Sequence, residues 1–228
     1  MSFPEQSYRG QRVVVLGATG FVGRHVVRAL RLHGADLQCV VRPGGDPATV
    51  GDEVPIDLTR SSELVDFLHD AEPAWVFNLA GYGVSPHETD EVMARKINGE
   101  LPAILGTTLA PMDTFLVHVG SAFEYGEVGG ALDEGGPARP TSLYGRTKLA
   151  GTRAVHRWAD EQGLRAITAR LFTVYGPGEQ PHRLLPSLLR AADSGAPLDL
   201  TAGEQLRDFT YVEDVAEGLC QLGLSEGA

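Results

Sequence analysis

Apolar positions along the chain alternate between two rhythms. "RVVVLG" (12–17) is a short β-branched run that ends in glycine and reads as a strand buried on both faces. From Gly20 to Leu32 the rhythm becomes helical, with Phe21, Val22, Val26, Val27 and Leu30 on one face and Gly34 as a stop signal. Further strands are predicted in "ADLQCVVR" (35–42), "EVPIDL" (53–58), "AWVFNLAG" (74–81), "TFLVHVGS" (114–121) and "RAITARLFTVYG" (165–176). Helices are predicted over "SSELVDFLHDA" (61–71), with a serine cap, and over 88–109, 143–162 and 183–194. "RDFTYVEDVAEGLCQL" (207–222) reads as a short strand feeding a helix. Strands alternating with helices predict an α/β fold, a doubly wound parallel sheet covered on both faces. The segment "GEVGGALDEGGPARPTS" (126–142) is a loop by composition and is expected beside the substrate pocket.

Composition narrows the function classes. With 228 residues, 43% of them hydrophobic, the chain can build one sizeable core and a small appended lobe. A net charge of −11 argues against nucleic acid and against an anionic membrane surface, but not against a small anionic ligand held in a local pocket. Cys39 and Cys220, in a strand-like and a helical run, are expected to be reduced and buried. The N-terminal "MSFPEQSYRG" has no apolar core of a secretion signal, and no apolar run approaches the ~20 residues that span a bilayer. A cytoplasmic protein without a membrane partner or a metal site is expected.

"GATGFVG" places Gly17, Gly20 and Gly23 between a strand and a helix. The first glycine permits a tight turn, the second lets backbone approach a pyrophosphate, and the third lets the helix pack close to the sheet. The helix N-terminus then offers N–H groups to the phosphates. Thr19, Phe21 and Val22 belong to the same predicted contact. An acid at the end of the second strand would bind the ribose of NAD, yet that place holds Val41 and Arg42, while Asp36 and Asp46 lie to either side. Arg42 suits a 2′-phosphate, so NADP(H) is favoured over NAD(H); the alternative is a solvated strand-end arginine. Asp57 and Leu58 are placed to reach the adenine, and Leu79, Ala80 and Gly81 to run beneath the cofactor.

"YGRTK" (144–148) puts Tyr144 and Lys148 one helical turn apart. A neighbouring ammonium would lower the phenol's pKa from about 10 toward a value useful for acid–base work. Ser121 ends the fifth strand, on the same edge as the other strand ends, where its hydroxyl could meet Tyr144 and hold a substrate carbonyl.

Together these segments resemble the extended short-chain dehydrogenase/reductases of the nucleotide-sugar epimerase/dehydratase group. The resemblance runs through "GATGFVG", "SAFEYG" (121–126), "YGRTK", "ARLFTVYGPG" (169–178) and "RDFTYVEDVA" (207–216). It implies a Rossmann-type domain (1–172) and a partial substrate lobe (173–228), with Ser121, Tyr144 and Lys148 catalytic. Ala122, Phe123 and Thr173 would face the sugar nucleotide, and Arg207, helped by Arg183, its diphosphate. Asn98 matches a family asparagine or is a structural polar residue. The group's dehydratases carry an Asp-Glu pair where this chain has Ala122 and Phe123, so dehydration is not expected; Glu124 lies one position further on, in an S-x-x-E-Y-G pattern similar to some 4-keto-6-deoxyhexose reductases. Family members continue beyond "YVEDVA", so the chain reads as a natural short form or a truncated one. The expected function is NADPH-dependent ketoreduction of a nucleoside-diphosphate sugar. A 4-epimerase that retains NAD, and a non-catalytic cofactor sensor or scaffold, are the alternatives. The helices at 88–109 and 143–162 correspond to the family's dimer helices, and Ile97, Leu101, Leu105, Val155 and Trp158 are expected to supply a homodimer face.

Overall fold

The computed structural model describes residues 7–44, 51–85 and 87–225; Asp46 and the first six residues lie outside them. Six strands form one sheet: β1 (Arg12–Leu16), β2 (Asp36–Val41), β3 (Glu53–Pro55), β4 (Trp75–Asn78), β5 (Phe115–Ser121) and β6 (Ala166–Leu171). Their order is β3-β2-β1-β4-β5-β6, and every neighbouring pair is parallel. This is the doubly wound Rossmann arrangement, whose order reverses between β1 and β4.

The side chains explain the layers. Val13, Val14, Val15 and Leu16 of β1 are all fully buried, because both faces of the strand are covered. Val13 and Val15 join Phe77 and Val117 beneath α1 (Phe21–Leu32) and α7 (Val212–Leu224). Val14, Leu16, Val76 and Leu116 face the other way, beneath α2 (Ser61–Ala71), α4 (Leu101–Leu109) and α5 (Leu143–Gln162). Although α7 falls in the 173–228 segment, Val212, Ala216 and Leu219 lie in the core of the sheet itself. Tyr8 donates to the Cys220 carbonyl (2.6 Å) and the Trp75 indole to that of Gly223 (2.8 Å), satisfying carbonyls in the last turns of α7. Cys39 and Cys220 are free and buried, and burial raises their thiol pKa values to about 11 and about 12.

Several elements differ from the sequence expectation. Arg60, not a serine, precedes α2, with no side-chain cap. The helical stretch around 88–109 is composite: α3 (Glu91–Ala94), capped by Asp90, leads into a π-helical stretch (Arg95–Glu100) and then α4. Pro102 lacks the N–H that an α-helix would give to the Asn98 carbonyl, which accounts for the widened turn. The expected strand over 165–176 splits after Leu171. Leu171 pairs with Ser121, the last residue of β5, so the following residues have no partner in the sheet. They form β7 (Thr173–Tyr175), which pairs in parallel with β8 (Phe209–Tyr211) as a separate two-stranded sheet. Between these strands lies α6 (Leu184–Ser194), which has no buried residue and exposes Leu184 and Leu189.

Three of the five residues expected at a dimer face are used inside the chain. Leu101, Leu105 and Val155 are buried in the chain's own core, and Ile97 and Trp158 pack against that core. Leu101, Leu105 and Val155 are thus closed to a partner while Ile97 and Trp158 stay partly exposed, and the homodimer expectation rests on the family resemblance. Among the described residues no helix is long and apolar enough to cross a membrane.

Candidate active site

At the point where strand order reverses, the loops after β1 and β4 touch. Gly17 has φ +77°, and a Cβ there would lie 2.7 Å from the Ala80 nitrogen, so only glycine lets the two strand ends approach this closely. Gly20 donates to the Gly17 carbonyl (3.0 Å), closing the turn. A Cβ on Gly23 would collide with that same carbonyl. Thr19 and Gly20 are exposed, while Phe21 and Val22 are half-buried at the start of α1. No side chain caps α1 and no acid lies in its first turn, so its N–H groups and positive dipole end remain open to an anion. A close-packed glycine turn beneath an uncapped helix fits a dinucleotide pyrophosphate. The segment after β7 leans over the same turn: the Pro177 carbonyl lies 2.9 Å from His25 Nε2, and Arg24 is beside Gly178. Arg24 also donates to the Thr19 carbonyl (3.1 Å), a cation on the rim that the glycine pattern did not single out.

The other expected cofactor residues lie along the same edge. Leu79 and Ala80 form the wall that Gly17 meets, and Gly81 is exposed just beyond. Arg42 follows the last residue of β2 with its side chain exposed, whereas Asp36 starts β2 at the opposite edge, 3.7 Å from Arg12. Asp57 follows β3, with Leu58 half-buried beside it; Asp57 accepts from the Thr59 hydroxyl (2.7 Å) and backbone (3.0 Å). Those hydrogen bonds hold its carboxyl below the usual range.

Ser121 ends β5 on this edge, and Ser142 caps α5 so that Tyr144 lies in its first turn. The Ser121 hydroxyl accepts from the Phe123 N–H (3.3 Å) and is near enough to act on the Tyr144 phenol. The phenol is pushed above its ordinary value, chiefly by burial; Ser121 and Arg183 oppose the shift, and Glu124 and Glu88 add to it. Lys148, fully buried one turn on, donates to the Val119 carbonyl (2.6 Å). Burial lowers its pKa to about 8 against the pull of Glu124. The expected lowering of Tyr144 by Lys148 is therefore not found. The ammonium is turned toward a β5 carbonyl, and desolvation governs the phenol.

On the substrate side, Ala122 and Phe123 follow Ser121 in a 3₁₀ turn (Ala122–Glu124), and the exposed Phe123 ring meets Tyr144 edge-on at 5.7 Å. Arg183, at the N-terminus of α6, is near enough to act on Tyr144 and lies 3.7 Å from Glu179. Thr173 starts β7, hydrogen-bonded through its N–H to the Asp208 carbonyl (3.0 Å), which sets it beside the segment carrying Arg207. Arg207 is exposed, and no contact joins it to Ser121, Tyr144 or Lys148 among the described residues. Asn98 is fully buried: its amide donates to the Tyr82 carbonyl (2.8 Å) and to Thr147 (2.9 Å), and its oxygen accepts from the Tyr82 N–H (2.9 Å). Those bonds join the loop after β4 to α5, the structural of its two readings. Glu124 and Glu88 both act on the site, and sequence reasoning gave no role to Glu88.

A model of the NAD dependent epimerase/dehydratase family matches residues 13–225. The chain is 31% identical to dTDP-6-deoxy-L-talose 4-dehydrogenase (NAD(P)(+)) of Kitasatospora kifunensis, over 91% of this chain and 68% of that one. Among solved structures it resembles MoeE5 in complex with UDP-glucose and NAD, at 35% identity and a TM-score of 0.80, over 94% of this chain and 72% of that one. It also resembles UDP-glucuronic acid 4-epimerase from Bacillus cereus in complex with NAD, at 25% identity and a TM-score of 0.80, over 92% and 72%.

Proposed function

Because the chain belongs to the NAD dependent epimerase/dehydratase family, and so is an NAD(P)-dependent enzyme of the extended short-chain dehydrogenase/reductase type, we propose that it reduces a keto group on a nucleoside-diphosphate sugar with NADPH. The observation that carries this reading is the placement of Ser121, at the end of β5, and Tyr144, in the first turn of α5, on the sheet edge that holds the glycine turn, with Lys148 one turn further on. The phenol is protonated at neutral pH, so it has a proton to give to an oxygen that gains negative charge as hydride reaches the carbonyl carbon.

In this reading Tyr144 gives its hydroxyl proton to the carbonyl oxygen and Ser121 orients that oxygen. Lys148, one turn from Tyr144, would hold the ribose once its ammonium turns from the Val119 carbonyl to the bound cofactor. The glycine turn and the start of α1 hold the pyrophosphate, Leu79 and Ala80 support the ring, and Arg42 pairs with the 2′-phosphate. When bound, the nicotinamide supplies the hydride. Phe123, Thr173, Arg183 and Arg207 line the substrate side. Ala122 and Phe123 provide no acid–base pair to expel water, which counts against dehydration.

A second reading, 4-epimerisation with a retained NAD, is favoured by the two similar structures that hold NAD. The test is a panel of keto-sugar nucleotides with NADPH, followed by absorbance, together with mass spectrometry of any nucleotide released from the purified protein. Reduction of a panel member supports the ketoreductase. Retained NAD with interconversion of 4-epimers supports the second reading. NADPH binding without any turnover would favour a cofactor sensor.

A further inference from the structure

Glu124 is fully buried at the end of the 3₁₀ turn. One carboxylate oxygen accepts from the Ser121 N–H (2.8 Å) and the Thr152 hydroxyl (3.0 Å), and the other accepts from Arg170 Nε (2.9 Å). Gly120 makes room for it, since a Cβ there would lie 2.6 Å from Glu124 Oε1. Arg170 of β6 is anchored in turn: it donates to the Tyr125 hydroxyl (3.1 Å) and the Glu134 carbonyl (3.3 Å), and its guanidinium sits 4.9 Å from the Tyr125 ring centre. A buried ion pair is a poor device for stability alone, because an apolar pair of similar size serves as well or better.

Its neighbours suggest what it does instead. With its N–H held by Glu124 and its oxygen accepting from Phe123, Ser121 keeps its own proton for a partner above the strand end. Thr152 lies one turn beyond Lys148 on the inner face of α5. Lys148 is sealed from water, its bonded oxygen is a neutral carbonyl, and the carboxylate acting on it is that of Glu124. We propose that Glu124 is a positioning residue of this site, fixing Ser121 through its backbone and giving buried Lys148 its counter-charge, with Arg170 as the clamp that holds the carboxylate in place. This rests on Ser121, Tyr144 and Lys148 being the reacting set. The other titratable groups here are His118 of β5, buried and held neutral, His156 of α5, Arg170, and, on the Tyr144 side, Glu88 and Arg183.

The chain has only two lysines, Lys96 and Lys148. Protein labelled with ¹³C at lysine Cε therefore gives two NMR signals, and Lys96→Arg assigns them. The Lys148 signal should titrate near pH 8 in the wild type and roughly one pH unit lower in Glu124→Gln. Because Glu124→Gln leaves Arg170 without its partner and can unfold the chain, Glu124→Gln/Arg170→Met removes both charges together and should show the same downward shift. Arg170→Met, which keeps the carboxylate, should not. The alkaline limb of kcat/KM should move with the NMR midpoint. A folded double variant whose Lys148 midpoint matches the wild type overturns the counter-charge. A midpoint that moves while the kinetic limb stays overturns the role in the reaction. If the wild type reduces no keto-sugar nucleotide, that failure belongs to the proposed reaction, and the NMR midpoints still decide what Glu124 does to Lys148.

Discussion

Asn98 reaches from the π-helical turn to α5 and donates to Thr147, the residue before Lys148, at 2.9 Å. The bond ties the loop after β4 to the helix that carries Tyr144. Asn98→Ala removes a buried amide that serves three partners, leaving Tyr82 and Thr147 short of theirs. The expected cost is about 1–3 kcal/mol of stability, read by urea denaturation. An Asn98→Ala protein of wild-type stability that has lost all turnover would mean that this residue acts on substrate rather than on the fold.

Tyr144→Phe removes the proposed proton donor and leaves the glycine turn untouched. Turnover of the best keto-sugar nucleotide should fall by roughly 10²–10⁴-fold, with NADPH affinity almost unchanged by fluorescence titration. Ser121→Ala should behave similarly. Equal turnover by Tyr144→Phe and wild type would remove Tyr144 from the mechanism.

Lys148 yields a prediction with two signs. Its ammonium is intact below about pH 8, so kcat/KM should fall as pH rises through that value. Stability moves the other way. With the folded pKa depressed from 10.5 to about 8, the unfolded chain binds more protons between those values, so Lys148's contribution to stability grows with pH across that window and is lost below it. Lys148→Met should therefore be more stable than the wild type at pH 7, with a gap that narrows by pH 10. Thermal unfolding of both proteins across that range checks the sign, and a constant gap would mean that the lysine is not desolvated.

In the proposed reading Arg42 pairs with the 2′-phosphate and so sets the cofactor choice. Arg42→Ala should weaken NADPH by about 1.5–3 kcal/mol, the scale of a hydrogen bond to a charged group, and leave NADH nearly unchanged. Equal affinities of the wild type for the two cofactors, measured by calorimetry, would remove Arg42 from the recognition.

Much of this was legible from local pattern. Val13 to Leu16 form an unbroken apolar run because the sheet covers them on both faces, and a glycine triplet directly after such a run has few other uses. Since all six strands are parallel, Gly17, Leu79 and Ser121 were bound to share an edge once their strands were recognised. What escaped depended on distant partners. The break after Leu171 comes from where β5 ends, a matter of register with a strand about 50 residues earlier in the chain. The apolar residues of α4 and α5 show that each helix buries a face, but not against what. Glu124 looked like an acid one place out of position until Arg170, 46 residues later, was found beside it. The widened turn at Asn98 had a readable cause in Pro102, four residues on.

The contact between Tyr8 and Cys220 spans 212 positions and helps close the layer that α7 completes. During synthesis the first strands emerge long before their cover does. Until residues 212–224 follow, Val15, Phe77 and Val117 have α1 above them but lack half of their roof. A nascent chain thus carries a bare apolar strip until that helix has emerged, a state that invites non-native association. Closure of the core is a late, long-range event, of the kind that makes folding slow. Tyr8 and α7 belong to one cooperative step, and damage to either should first appear as loss of soluble yield, ahead of any change in the chemistry at the opposite edge of the sheet.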